Sequence, residues 1–222
     1  MKQTKSWLSS ISHKYIVALA GLFLMLFLVA HLSTNLLMVA GNIEAFNDAV
    51  VFLTTNPLMK VMEYVLFAGF AIHILFGVMV YLNNRKARPL NYKMAQNSET
   101  SPFSKFMIHT GVIIFVFLII HFVHFFFVKI GIMPVPEGAA DKYDFYVMTR
   151  LVFSNGLYSL IYVVCMIFLG FHLKHAFQSA FQTLGLNHPR YFPIIKIVGT
   201  VYAIAIAVGF SSIPVYFYFF YQ

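Results

Sequence analysis

The sequence predicts an all-α integral membrane protein, a bundle of five transmembrane helices that forms a single domain over residues 1–222. The first observation is composition: 60% of the residues are hydrophobic, 10% are charged, and the mean hydropathy is +0.80, values far from those of a soluble domain. The second is that stretches without Asp, Glu, Lys or Arg recur five times, each long enough to cross a bilayer. The expected helices cover approximately residues 15–40, 58–84, 105–130, 150–183 and 194–220.

Charges and turn-forming residues divide the connections between the helices into two sides. One side holds a loop that begins at Gly41 and ends where Pro57 opens the second helix, and an acidic loop from 131 to 155. Eleven of the 15 Lys and Arg residues lie on the other side, in the N-terminus, the 85–105 loop and the segment after the fourth helix. The positive-inside rule therefore predicts a cytoplasmic N-terminus and an outer C-terminus. We assign the net charge of +8 to this topology and expect no nucleic acid partner.

Cysteine usage limits the possible cofactors. Cys165 is the single cysteine, which excludes an intrachain disulfide framework, a cysteine zinc cluster and the CxxCH attachment of a covalent haem. Any haem must therefore be held noncovalently. The first apolar run is longer than the core of a typical signal peptide and lacks a small-residue cleavage pattern, so we do not expect a cleaved signal.

Histidines inside the uncharged stretches are the strongest functional signal, because a polar imidazole in a membrane helix is costly unless its nitrogens find partners. Counted from the turns on the acidic side, His31 is ten residues before Gly41, and His121 is ten before Gly131. Similarly, His73 is sixteen residues after Pro57 and His172 is sixteen after Gly156. The six-residue difference corresponds to about 9 Å along a helix. The sequence therefore predicts an outer pair, His31 with His121, and an inner pair, His73 with His172.

A haem iron is the ligand that best explains two imidazoles facing each other in hydrocarbon. Two histidines fill both axial positions of the iron, which favours electron transfer over oxygen chemistry. Gly21 and Gly111 each lie ten residues before an outer-pair histidine, near the level of the inner pair, where a porphyrin needs a helix face without side chains. Simple close helix packing is the alternative role for these glycines.

Other histidines leave alternatives open. His124 lies one turn after His121 and competes with it as the ligand on the third helix; the depth match is the reason to prefer His121. His13, His109 and His188 are expected to be interfacial rather than ligating. For any single membrane histidine, a hydrogen bond to a neighbouring helix is the alternative.

The ordered set of motifs resembles the dihaem cytochrome b membrane-anchor subunit of succinate dehydrogenases and fumarate reductases. The motifs are LVAHLSTN at 28–35, EAFN at 44–47, PLMKVME at 57–63, HILFG at 73–77, TG at 110–111 leading to His121, and HLKHAFQSAFQTLG at 172–185. No single motif is specific, but together they extend over nearly the whole chain. The resemblance implies two haem b groups, with the pairing that the depths give.

The resemblance also implies partners and a location. These are a flavoprotein that interconverts succinate and fumarate, an iron–sulfur protein that carries electrons between the flavin and the membrane, and a membrane quinone such as menaquinone. The chain itself shows no dinucleotide fingerprint and no cysteine cluster for iron–sulfur ligation. A bacterial cytoplasmic (inner) membrane is the implied location, the basic face is where the soluble subunits would dock, and a dimer of complexes is left open.

Glu63 is the candidate catalytic residue. It lies ten residues before His73, near the outer end of its helix and near the level of the outer haem. Quinone reduction needs two protons, and a carboxyl group near the water interface is a suitable relay. The alternative is an interfacial ion pair with Lys60, one turn away.

Haem propionates need cations or hydrogen-bond donors at the cytoplasmic edge, for which Lys14, Lys174 and His175 are the candidates. One departure limits the resemblance: some fumarate reductases of this type carry a glutamate two residues before the fourth-helix ligand as a proton route, whereas this chain has Gly170. We do not expect that route here.

Two other functions fit parts of the pattern. A transporter with a histidine relay would need deep carboxylates and helices broken near the bilayer centre, which these helices lack apart from Glu63 near an end and Pro214. The cytochrome b anchor of a hydrogenase or formate dehydrogenase also uses paired histidines. Co-purifying subunits and the haem spectrum distinguish these functions.

Overall fold

The computed structural model describes residues 10–86 and 106–221, and in these ranges the regular secondary structure is entirely helical. The helices are α1 (Ser10–Val39), α2 (Ile43–Thr55), α3 (Pro57–Lys86), α4 (Met107–Lys129), α5 (Phe145–Phe153), α6 (Gly156–Thr183) and α7 (Phe192–Phe220). By length and composition, α1, α3, α4, α6 and α7 can each cross a membrane. The predicted all-α fold with five spanning helices is confirmed.

The observed helix bounds differ from the expected ones at several places. Helix α1 already includes Ser10, five residues before the expected start, and α2 occupies a stretch that the sequence predicts to be a loop. The expected fourth helix, 150–183, is two helices, because the side chain of Asn155 accepts hydrogen bonds from the amides of Leu157 and Tyr158 and caps a new helix at Gly156. The spanning helix α6 therefore begins six residues later than expected.

The turns used to measure depth are equivalent in the structure. Gly41 and Gly131 both have positive φ, 73° and 79°, and both end a helix with a bond from the next amide back to a carbonyl of the last turn. Pro57 and Gly156 are each the first residue of a helix. Counting from Gly41 and Gly131 therefore compares His31 with His121, and counting from Pro57 and Gly156 compares His73 with His172.

Helix α4 contains one π turn. Met107–His121 is α-helical, Phe122–Phe126 forms the π turn, and Phe127–Lys129 returns to the α form. A π turn carries an extra residue, so the side chains after it are rotated relative to those of an uninterrupted α-helix. The turn follows His121 directly and contains His124.

The tightly packed core lies between α1, α6 and α7, with α3 beside α1 and α4 beside α6. One buried cluster lies within the spans and consists of Met25, Leu32, Met166, Leu169, Leu173, Ala203 and Ile206. A second lies towards the end that carries α2 and α5 and consists of Met38, Phe46, Val50, Phe153, Tyr162, Ile213 and Phe217. Helix α3 contributes no buried residue.

Gly170 explains part of the close packing of α6 on α7. A Cβ atom at this position would lie 3.0 Å from the Cβ of Ala207 and 3.5 Å from the carbonyl oxygen of Ala203. A longer side chain at this position would push α7 away from α6. The position two residues before His172 therefore packs against a helix here and has no room for a carboxylate.

Candidate functional site

Four histidines from four spanning helices meet as two pairs. His31 of α1 and His121 of α4 have ring centroids 5.9 Å apart, with an interplanar angle of 82°. His73 of α3 and His172 of α6 have ring centroids 6.4 Å apart, with an angle of 72°. These are the pairs that matched depths predict. We call them the outer pair and the inner pair, and the ends of the bundle nearest to them the outer end and the inner end.

The separation of the rings within each pair fits one metal ion between them. A metal–imidazole bond of about 2.0–2.1 Å, plus about 1.1 Å from nitrogen to ring centre, puts two rings on opposite sides of a metal roughly 6.4 Å apart. The observed 5.9 and 6.4 Å agree with this value. In the described ranges, no group of three or more His, Cys, Asp or Glu side chains could hold a bare metal ion. Two imidazoles without a third ligand suit an iron whose other positions a porphyrin fills.

His172 of the inner pair is held in orientation by a hydrogen bond. The hydroxyl group of Thr110 donates to the carbonyl oxygen of Met107 at 3.0 Å, so its lone pair is left to accept from Nδ1–H of His172 at 3.1 Å. With the proton on Nδ1, Nε2 of His172 is the unprotonated nitrogen that can bind a metal. Such outer contacts typically fix the tautomer and the orientation of ligating histidines.

Buried nitrogens in each pair lack a protein partner. Nδ1 of His73 and Nδ1 of His121 are buried and make no hydrogen bond to any part of the chain that the structure describes. A buried polar atom without a partner is costly in an apolar interior. In the outer pair, Nδ1 of His31 has one long hydrogen-bond contact, with Nδ2 of Asn35 at 3.4 Å. Each pair therefore contains a buried nitrogen that the described residues leave unsatisfied.

The side chains of His121 and His124 point in different directions in the structure. Nδ1 of His124 lies 3.0 Å from the hydroxyl oxygen of Tyr162, and the two rings stack at 18°. His121, before the π turn, faces His31 instead. The geometry favours His121 as the partner of His31, although ligation itself stays a prediction.

Gly21 and Gly111 border the inner pair. A Cβ atom at Gly21 would lie 3.3 Å from Cε1 of His73, and one at Gly111 would lie 3.8 Å from Cε1 of His172. Both glycines therefore lie at the level expected from the sequence. They leave the backbones of α1 and α4 open beside the two inner imidazoles.

Glu63 forms an ion pair with Lys129, which joins α3 to α4. The alternative pairing with Lys60 is therefore wrong. The side chains of Lys129 and Glu63 are 21% and 29% exposed, so the pair is largely shielded from solvent. A sequence signal did exist, since each residue is the only charge of its sign in its span: Glu63 is the only acid in α3 and Lys129 the only base in α4.

Aromatic side chains connect this ion pair to the outer histidines. Phe67, one turn after Glu63 on α3, packs on Phe122 and Phe126 of the π turn, with ring centroids 5.6 and 4.8 Å apart. The ammonium group of Lys129 lies 5.7 Å from the centroid of the Phe126 ring. Phe122 directly follows His121. The ion pair and these aromatic rings therefore lie beside the outer pair, between α3 and α4.

The residues expected near propionates differ in exposure. Lys14 and Lys174 are exposed, and His175 is half-buried. His13, which was expected to be interfacial, is only 5% exposed. The direction of this side chain depends on the rotation of α1, which the apolar pattern does not reveal.

No family model, curated protein or solved structure matches this chain.

Proposed function

We propose that this chain is the membrane anchor and electron-transfer subunit of a respiratory complex and binds two b haems noncovalently. The proposal rests on the two pairs of imidazoles between helices of a membrane bundle, whose ring centroids are 5.9 and 6.4 Å apart. His31 and His121 would ligate the outer haem, and His73 and His172 the inner one. Each haem, when bound, would supply a one-electron couple.

The residues around the inner pair are suited to binding and orienting a planar group. Thr110 holds the proton on Nδ1 of His172, so that Nε2 is the ligating nitrogen. Gly21 and Gly111 remove side chains from the helix faces beside the rings. The spanning helices around the pairs are apolar, and a haem held by two imidazoles would supply electron transfer rather than oxygen chemistry.

We assign the complex to the succinate dehydrogenase and fumarate reductase class, in a bacterial cytoplasmic membrane. The ordered motifs of the sequence, from the histidine segment at 28–35 to the one at 172–185, support this class. The partners would be an iron–sulfur protein and a flavoprotein at the inner end. The excess of Lys and Arg in the loops at that end favours a cytoplasmic orientation.

Glu63 would exchange protons with a quinone near the outer haem. Two features support this role: the carboxyl group lies between α3 and α4 beside an aromatic surface, and its ion pair is only partly exposed. An acid in this position can pass protons between water and a quinone oxygen. Lys129 holds the carboxylate in place through the ion pair.

Purification of the chain with its natural partners tests the proposal. We expect two haems per chain by a pyridine haemochrome assay and low-spin spectra for both, because each pair fills both axial positions. We expect a flavoprotein and an iron–sulfur protein to co-purify, together with quinone-linked succinate oxidation or fumarate reduction. A preparation without haem would refute the proposal, and hydrogenase or formate dehydrogenase subunits would change its class.

A further inference from the structure

His13 is a buried polar residue at the inner end of α1, and its Nδ1 atom has no hydrogen-bond partner among the described residues. Its exposed fraction is 5%, whereas the next residue, Lys14, is exposed. Its ring packs on Phe76 of α3, with centroids 5.4 Å apart. Its Nδ1 atom is buried and finds no hydrogen-bond partner within residues 10–86 and 106–221.

The position of His13 relates it to the inner pair. His13, Val17 and Gly21 follow one another at intervals of four residues and therefore share one face of α1. A Cβ atom at Gly21 would lie 3.3 Å from the ring of His73. Phe76, which His13 contacts, is one turn after His73 on α3. His13 thus lies in the α1–α3 interface, beyond the inner pair towards the inner end.

The described part of the chain offers no acid to this nitrogen. Its acidic residues all belong to the outer end of the bundle, in α2, the first two turns of α3 and the segment before α5; they are Glu44, Asp48, Glu63, Glu137, Asp141 and Asp144. The seventh acid, Glu99, lies outside the described residues. A bound carboxylate is therefore the acceptor that best suits a donor on this face.

We infer that Nδ1–H of His13 donates a hydrogen bond to a propionate of the haem held by His73 and His172. The inference rests on the proposed function, since it needs a haem in the inner site. A haem carries its carboxylates on one edge, and a hydrogen bond to a carboxylate is stronger than one between neutral groups. His13 is then a positioning residue that also tunes the inner haem, whereas the exposed Lys14 and Lys174 are less suited to that contact.

The hydrogen bond would affect the midpoint potential of the inner haem. A donor on the propionate offsets its negative charge, and loss of the donor favours the more positive, oxidised haem. A hydrogen bond to a charged group is about twice as strong as one between neutral groups. Loss of the donor should therefore lower the ratio of reduced to oxidised inner haem roughly four- to twelvefold at the wild-type midpoint.

Spectroelectrochemical titration of the purified complex tests the inference with three variants. His13→Leu fills a similar volume without a donor, and His13→Gln keeps an N–H donor. His109→Leu is the matched control, because His109 is an exposed histidine at the same end of the bundle, near the start of α4. Haem content is measured in each preparation before the titration.

We expect two haems in every variant, a lower inner potential in His13→Leu, and potentials close to wild type in His13→Gln and His109→Leu. Unchanged potentials in His13→Leu, or equal shifts of both haems, would overturn the inference. If His13→Leu does not accumulate in the cell, His13→Asn and His13→Gln test the inference instead. Both side chains carry an N–H donor, so a fall of the inner haem potential in both variants would also overturn the inference. Wild-type protein without haem would instead refute the proposed function, so the two failures are distinguishable.

Discussion

The imidazoles of His31 and His121 face each other from α1 and α4, with ring centroids 5.9 Å apart, although 90 positions separate them in the chain. The contact arises because α1 and α4 end in equivalent glycine turns, at Gly41 and Gly131, ten residues beyond each histidine. Helices that end at the same level place equally spaced residues at the same depth. The arrangement leads to the following predictions.

The first prediction concerns the outer site. His31→Ala or His121→Ala should remove the outer haem, so that haem content falls from two to about one per chain, because one remaining axial imidazole holds the iron weakly. His124→Ala is the matched control and should retain both haems, since His124 pairs with Tyr162. Loss of the outer signal in His124→Ala, with His121→Ala harmless, would reverse the assignment. Haem stoichiometry and reduced-minus-oxidised spectra are the measurements.

The second prediction concerns Thr110, which orients His172. Thr110→Val keeps the shape of the side chain but removes the acceptor for Nδ1–H of His172. Loss of such an outer contact typically weakens metal binding by roughly 10–100-fold, so the inner haem should be lost more readily during purification. Thr200→Val is a suitable control, because its hydroxyl group only donates to the carbonyl oxygen of Lys196 on an exposed part of α7. Equal haem retention in both variants would argue against the role of Thr110.

The third prediction concerns Gly21. Gly21→Leu introduces a side chain whose Cβ alone lies 3.3 Å from the ring of His73, so we expect loss of the inner haem with the outer haem retained. Gly77→Leu on α3 is the control, because a Cβ atom there meets nothing within 4 Å. Haem content and spectra measure the effect. An inner haem of normal content in Gly21→Leu would mean that this glycine serves helix packing alone.

The fourth prediction concerns the acid at the outer end. Glu63→Gln keeps size and polarity but removes the exchangeable proton, so quinone-linked turnover should fall about a hundredfold while both haems remain bound. Electron transfer from succinate to an artificial acceptor through the soluble subunits should persist. Glu44→Gln, in the first turn of α2, is the control and should leave turnover unchanged. Normal quinone turnover in Glu63→Gln would leave the Lys129 ion pair as a structural contact.

The fifth prediction concerns that ion pair as a link between α3 and α4. In a double-mutant cycle with Glu63→Gln and Lys129→Gln, we expect a coupling free energy of roughly 0.5–2 kcal/mol, because the pair is mostly shielded from solvent. Thermal unfolding in detergent gives the values. The corresponding cycle with Lys60→Gln should show no coupling to Glu63. Additive effects for Lys129 would show that the contact contributes little to stability.

The sequence by itself determined the number of spanning helices and the depths of the four central histidines. Charge-free runs are local features, and the bilayer sets their length, so the spans follow without knowledge of packing. Depth follows because helix rise is constant and Gly41, Gly131, Pro57 and Gly156 mark helix ends. The break at Asn155 was harder to predict, since a single side-chain cap interrupts an apolar stretch.

Only the tertiary structure decided which side chains point inwards. The spanning helices are apolar on most sides, because both the lipid and the protein core favour apolar side chains. Hydropathy therefore could not show that His13 is buried and Lys14 is exposed. The same holds for His121 and His124, whose directions depend on the π turn that follows His121 and contains His124. The Glu63–Lys129 pair required the relative placement of α3 and α4, 66 positions apart in the chain. Helix rotation and neighbour choice arise from packing between distant segments, and local sequence patterns carry little information about them.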